Sequence, residues 1–151
     1  MLDDDPQNFE YMLKFLYTNQ MVVPPVKNSQ DNKETIDRDI LTPIRLYILA
    51  DKYEIAPLLR RTSSQVATAM RNHSSLLKSD AGDTIPTIVA TYYNCCARAR
   101  SGMGGVIAAG LNAHSSWLGY ANIEILGNLV IAHGHFAADL ILAMRSAGRL
   151  P

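Results

Sequence analysis

The residues of this chain whose types could do chemistry are concentrated in its second half. Three glycines within residues 102–105 follow Arg98 and Arg100, a composition that could place backbone amides and guanidinium groups around a phosphate. The glycine spacing of a dinucleotide-binding turn is not met, because Ile107 stands where the third glycine belongs and no strand precedes the turn. The sequence therefore predicts a helix break with a flexible turn at this position, and no cofactor.

A metal site at His133, His135 and Asp139 is the second candidate, because all three side chains are of the ligand type. Gly134 interrupts the helical pattern between the histidines, and there is no H-E-x-x-H motif or second ligand pair. Histidines near a helix C-terminus also serve as capping and packing residues. We therefore expect no metal here.

Nucleophilic side chains are few in this chain. His114, Ser115 and Ser116 are sequential neighbours, whereas a catalytic serine and its base converge from separate parts of a fold. Cys95 and Cys96 are the only cysteines, and adjacent cysteines provide neither a disulfide framework nor spaced zinc ligands. We expect a protein that is not an enzyme and that resides in a reducing intracellular compartment, cytoplasmic or nuclear.

The first half of the chain predicts three helices. Asp5 and Pro6 begin the first, because aspartate caps exposed amides and proline is pre-set for the first helical position. Its apolar stripe consists of Phe9, Met12, Leu13 and Leu16. Residues 21–23 form a short β-prone run, and residues 27–38 are polar enough to predict a loop insertion.

The second helix begins near Asp39 or Thr42, because Pro43 is acceptable only in a first turn. Asp51 and Lys52 on this helix predict a surface ion pair or a structural hydrogen bond. Pro57 restarts the chain as a third helix, which ends before residues 72–75. We expect one core to contain Phe9, Leu13, Leu16, Ile44, Tyr47, Ile48 and Leu59.

Four more helices are predicted after residue 82. Asp83 caps the first, and Pro86 lies within its first turn. The second follows the glycine break and has no charged residue, whereas Asn122 caps the third. We expect Gly134 to end the third helix and Gly148 to stop the fourth.

Two separated segments resemble the BTB/POZ family, most of all its fungal branch. Residues 5–18 match the family's D-P-x-x-F-x-x-x-L-x-F-L-Y-T motif, and residues 47–58 match Y-x-L-A-D-K-Y-x-I-x-x-L, in the family's order. The residues that carry the resemblance are Asp5, Pro6, Phe9, Leu13, Leu16, Tyr17, Tyr47, Leu49, Ala50, Asp51, Lys52, Tyr53 and Leu58.

The resemblance implies a mainly α fold, namely a helical fragment of the α+β BTB/POZ module followed by a bundle of about four helices. The module's C-terminal half would span residues 1–71, a linker residues 72–82, and a helical tail residues 83–151. Family members carry a strand, helices and a hairpin before the D-D-P segment, yet here Met1 stands almost directly on it. We therefore expect a truncated product whose unpaired apolar surfaces make it associate.

The resemblance implies a protein-interaction function: homotypic dimerisation and recruitment of other proteins, with a cullin scaffold of a ubiquitin ligase as the partner in some relatives. The family's short hydrophobic-x-Glu signature for cullin contact is not visible, because residues 19–23 contain no acid. The alternatives are a non-functional remnant of such a protein and a small metal- or nucleotide-binding protein.

Composition agrees with a folded domain, since 48% of the 151 residues are hydrophobic. The net charge is zero and no segment is strongly basic, which argues against a nucleic-acid partner. Residues 101–123 contain no charged side chain, but their serine, asparagine, histidine and glycine content favours a buried helix over a membrane span.

Overall fold

The computed structural model describes residues 4–21, 32–79, 81–95, 102–113 and 123–150. This part of the chain is mainly helical and contains no strand, as predicted for the fold class. In chain order the helices are α1 (Pro6–Thr18), α2 (Asn32–Ile36), a π-helical segment (Asp37–Leu41), α3 (Thr42–Lys52), α4 (Ala56–Asn72), α5 (Ser74–Ser79), α6 (Ala81–Tyr93), α7 (Gly102–Ala113), α8 (Ile123–Ala132) and α9 (Gly134–Ser146). Met21 lies outside any element, and the rest of the β-prone run falls outside the described residues.

The predicted loop insertion at residues 27–38 is wrong for the residues that the structure describes. From Asn32 the chain is already helical, and it continues without a break into α3. Ile36 anchors this segment, because its side chain is buried in the core. The polar composition of the segment gave no indication of this anchor. Residues 27–31 lie outside the described part.

The π segment explains how Pro43 can stand inside a continuous helical run. A proline lacks the amide hydrogen, and its ring clashes with the carbonyl four residues earlier, here that of Asp39. The wider π turn ends with the Thr42 amide bonded to the Asp37 carbonyl, five residues back, directly before the proline. Pro43 therefore follows a local widening of the helix instead of marking a helix start.

A larger core joins both halves of the chain. Its fully buried members come from the π segment, α3 and α4 on one side of residues 72–82 and from α6, α7 and α9 on the other. They include Ile40, Ile44, Val66, Met70, Ile88, Val89, Tyr92, Met103, Ile107 and Phe136. The predicted linker is mostly helix α5, which buries Leu77 in the same core. The predicted module and tail therefore do not have separate cores.

A smaller core lies between α1, α3 and the start of α4, and its buried members are Met12, Phe15, Leu46, Leu49, Ala50 and Leu58. The prediction of one shared core is therefore wrong. Ile44 and Tyr47 are buried in the larger core, with Ile48 and Leu59 packed against it, whereas Phe9 packs against the smaller one. Leu13 and Leu16 belong to neither core, because both are exposed.

The helices of the second half differ from the prediction at their ends. Helix α6 begins at Ala81, so Pro86 lies in its interior, where it leaves the carbonyl of the exposed Gly82 without a helical donor. The glycines of residues 102–105 form the first turn of α7, and Gly134 begins α9 instead of only ending α8. Gly148 is confirmed as the final stop, with a positive φ of 67°. No described helix is long and apolar enough to cross a membrane.

Candidate functional site

Helix α1 begins and ends as the sequence predicts. The Asp5 carboxylate accepts hydrogen bonds from the Asn8 backbone amide at 3.3 Å and from the Asn8 side-chain amide at 2.6 Å. Pro6 occupies the first turn, where no amide is needed. Asn19 ends the helix in the left-handed conformation, and its amide donates to the Phe15 carbonyl at 2.7 Å. The first motif therefore starts with a capped helix.

The buried face of α1 is rotated from the predicted stripe. Met12 and Phe15 are buried against α3, and the Asn8 side chain is also buried. Leu13 and Leu16, predicted for the core, are exposed on an adjacent face of the helix. Apolar residues occupy both faces of α1, so the spacing alone could not decide which face packs inward.

The outward face of α1 carries a continuous apolar strip. Leu13, Leu16 and Tyr17 stand three and four residues apart, and Leu16 is 53% and Tyr17 88% exposed. The half-buried Phe9 lies one turn before Leu13, and its ring meets Tyr53 edge-on, with 6.0 Å between the ring centres. These five residues are hereafter called the α1 patch.

A polar contact joins the two motif segments at one end of this patch. The Lys52 ammonium lies 2.7 and 2.8 Å from the two Asp4 carboxylate oxygens, and the Tyr53 hydroxyl donates to the same carboxylate at 2.9 Å. Lys52 and Tyr53 hold the pKa of Asp4 below its usual value, and Asp4 raises the pKa of Lys52. The predicted pairing of Lys52 is thus realised with Asp4, not with its neighbour Asp51.

The remaining residues of the second motif are structural. Leu49, Ala50 and Leu58 fill the smaller core, whereas Tyr47 is buried in the larger one, edge-on to Tyr92 with 6.1 Å between ring centres. Sequence reasoning placed Met12 in the apolar stripe of α1 but missed Asp4 and Phe15 as partners of these residues. The i+3 spacing of Met12 and Phe15 was a usable signal, but nothing local could pair Asp4 with Lys52.

Two of the three candidates for a metal site, Asp139 and His133, serve as packing residues. Asp139 is 3% exposed, and its carboxylate accepts a hydrogen bond from the Tyr93 hydroxyl at 2.8 Å. The His133 ring packs 6.3 Å from the Tyr93 ring, while His135 is exposed. Within the described ranges, no group of three or more His, Cys, Asp or Glu side chains could hold a metal ion.

The glycines of α7 have a packing role rather than a phosphate-binding one. A Cβ at Gly104 would overlap the Asp139 carboxylate, so glycine lets α7 approach α9 closely. The Tyr93 hydroxyl also lies 3.2 Å from the Gly104 carbonyl, which ties α6 to the same point. Arg98, Arg100 and the serine pair fall outside the described residues, as does Cys96, whereas Cys95 is exposed.

Comparison of the chain with protein-family models, with curated proteins and with solved structures gives no match.

Proposed function

We propose that this chain is an intracellular protein-interaction module of the BTB/POZ type, which acts through the α1 patch by self-association and by recruitment of other proteins. The observation that carries the proposal is the outward orientation of Leu13, Leu16 and Tyr17. Contiguous apolar surface on a folded protein is typical of interaction sites. A cullin scaffold is the recruited partner in some relatives, but residues 19–23 lack the family's hydrophobic-x-Glu signature, so it is not the partner proposed for this chain.

The composition of the patch fits an interface. Tyrosine and phenylalanine are enriched at the centres of protein interfaces, where they bury a large area with few rotatable bonds. Beside the patch, Lys14 and Glu10 form an ion pair of 2.7 Å on the exposed surface of α1. An apolar centre with a charged edge is the usual arrangement of such surfaces.

The buried side of α1 holds the α1 patch in a fixed geometry, which favours specific over indiscriminate contact. Met12 and Phe15 anchor α1 on α3, and the Asp4 contact with Lys52 and Tyr53 ties the start of α1 to the end of α3. A preorganised surface loses less conformational entropy on binding than a mobile one. Most of the motif residues that carry the resemblance thus either build this support or stand in the patch, the exceptions being Tyr47 in the larger core and the exposed Asp51.

Sedimentation velocity over a range of concentrations tests the proposal. We expect the wild-type chain to show a weight-average sedimentation coefficient that rises with concentration. Leu16→Glu and Tyr17→Ser should remove the rise, because they place a charge or a small polar group in the patch. Ile131→Glu is the matched control, since Ile131 is 85% exposed on α8 and outside the patch.

The proposal fails if the wild-type chain stays monomeric at all concentrations, or if Ile131→Glu dissociates the assembly as fully as Leu16→Glu does. Retained association in Leu16→Glu and Tyr17→Ser would also contradict it.

A further inference from the structure

A polar cleft of about 400 Å³ lies between α4 and the π segment and shares no residue with the α1 patch. Asp39 and His73 line one side, and one face of α4 lines the other. The α4 residues recur every three or four positions: Arg61, Ser64, Gln65, Thr68 and Asn72. The volume lies in the range of pockets that hold small molecules.

Among the described residues that line the cleft, Asp39 supplies the one carboxylate, and this group is already occupied. Arg38 donates to Asp39 through Nε at 2.5 Å and through Nη2 at 2.8 Å. His73 Nε2 lies 2.8 Å from Oδ2, the same oxygen that accepts from Arg38 Nη2, and it must carry the hydrogen, because an ionised carboxylate only accepts. Arg38 first, and then His73, hold the pKa of Asp39 below its usual value against the opposing effect of burial.

The donors on the α4 side remain available. Arg61 is exposed and has no hydrogen-bond or ion-pair partner among residues 4–21, 32–79, 81–95, 102–113 and 123–150. Arg71 does not line the cleft, but its Nη2 donates at 3.2 Å to the hydroxyl of Thr68, which does. Because Arg38 neutralises Asp39, the positive charge of Arg61 stays uncompensated among the described residues that line the cleft, which favours an anion.

We propose that this cleft binds a phosphate monoester, held by the Arg61 guanidinium and by the hydroxyl and amide donors of α4. A guanidinium fork matches two oxygens of a phosphate, and the third terminal oxygen can accept from Ser64 or Gln65. The cleft volume leaves room for the organic group that the phosphate carries. The π segment beside it supports the assignment, because π turns are frequent at functional sites.

Titration of the full chain with phenyl phosphate and with inorganic phosphate, followed by nitrogen-15 NMR, tests the proposal. We expect both probes to shift the Arg61 Nε–H signal and the amides of α4. Arg61→Gln should weaken binding about ten- to hundredfold, the usual loss for a charge-assisted hydrogen bond. Arg60→Gln is the matched control, because Arg60 is exposed on α4 but does not line the cleft.

Ser64→Glu provides a second test, since a new carboxylate in the cleft should abolish the binding of phenyl phosphate. The spectrum of unliganded Ser64→Glu should still be that of a folded protein. Benzoate, which carries a carboxylate in place of the phosphate, should bind more weakly than phenyl phosphate. Equal affinities of Arg61→Gln and Arg60→Gln would overturn the proposal, as would absence of binding by phenyl phosphate. Benzoate binding as tight as that of phenyl phosphate would overturn the assignment to phosphate.

Discussion

The Lys52 ammonium contacts both oxygens of the Asp4 carboxylate, 48 positions earlier in the chain, at 2.7 and 2.8 Å. This ion pair joins the C-terminal end of α3 to the residue before the α1 cap. Tyr53 reinforces it from the next position by donating to the same carboxylate. The two segments that resemble the BTB/POZ motifs are therefore in direct contact.

Lys52→Met should raise the pKa of Asp4 toward its ordinary value, because Lys52 is the main cause of the lowering and Tyr53 the second. Carbon-13 NMR titration of the Asp4 carboxyl measures this directly. Lys14→Met is the control: Lys14 pairs with Glu10 on the surface of α1 and should leave Asp4 unchanged. An Asp4 pKa that is equal in wild type and Lys52→Met would show that the ion pair does not form in solution.

The same shift predicts a pH dependence of the α1 contact. A carboxyl group whose pKa is lowered on folding contributes stability above its unfolded value, and that contribution is lost as pH falls through the folded pKa. We therefore expect the hydrogen-exchange protection of the first α1 turns to fall in the acid range in wild type. In Lys52→Met the protection should be lower at neutral pH and less dependent on pH. The same dependence of hydrogen-exchange protection on pH in wild type and in Lys52→Met would contradict this prediction.

Gly104→Ala should destabilise the protein by about 1 to 3 kcal/mol, the usual cost of overpacking. The added Cβ would overlap the Asp139 carboxylate and lie 3.0 Å from the Tyr93 hydroxyl oxygen. Gly105→Ala is the matched control, because a Cβ there meets nothing within 4 Å and alanine favours a helix by about 1 kcal/mol. Urea denaturation compares the two, and equal unfolding midpoints would contradict the close packing of α7 on α9.

Met70→Ala should lower the stability of both halves of the chain together, by about 2 to 5 kcal/mol. Met70 is fully buried in the larger core, which joins the helices on both sides of residues 72–82. Its sulfur would lie 2.7 Å from a Cβ placed on Gly110 of α7. Native-state hydrogen exchange should show the slowest amides of α3 and α7 losing the same protection. Loss confined to α3 would indicate two independently folding units.

The sequence was informative wherever a local signal was sufficient. Asp5 and Pro6 indicated the start of α1, and Ile44 and Tyr47 were assigned correctly to a buried position. Because α1 has two apolar faces, its sequence alone does not determine which face packs inward. Contact with α3 selects the face that carries Met12 and Phe15. Long-range pairing, as between Asp4 and Lys52, has no local signature at all.

Polar composition misled the prediction at α2 and at α5, for a physical reason. Each of these segments carries few apolar side chains, and one buried residue, Ile36 or Leu77, is sufficient to anchor it on a core built by other helices. Tertiary packing of this kind overrides local propensity. The cleft beside Asp39 could not be predicted for the same reason, because α4 and the π segment form it together.

Radical footprinting of side chains at increasing protein concentration tests the proposed interaction surface most directly, because it measures the solvent exposure of Tyr17 itself. Tyr17 is 88% exposed in the single chain, so it should be oxidised readily in dilute solution. If the α1 patch mediates association, the oxidation rate of Tyr17 should fall as concentration rises, while that of Ile131 on α8 stays constant. Association accompanied by an unchanged Tyr17 rate would contradict the proposed role of the α1 patch.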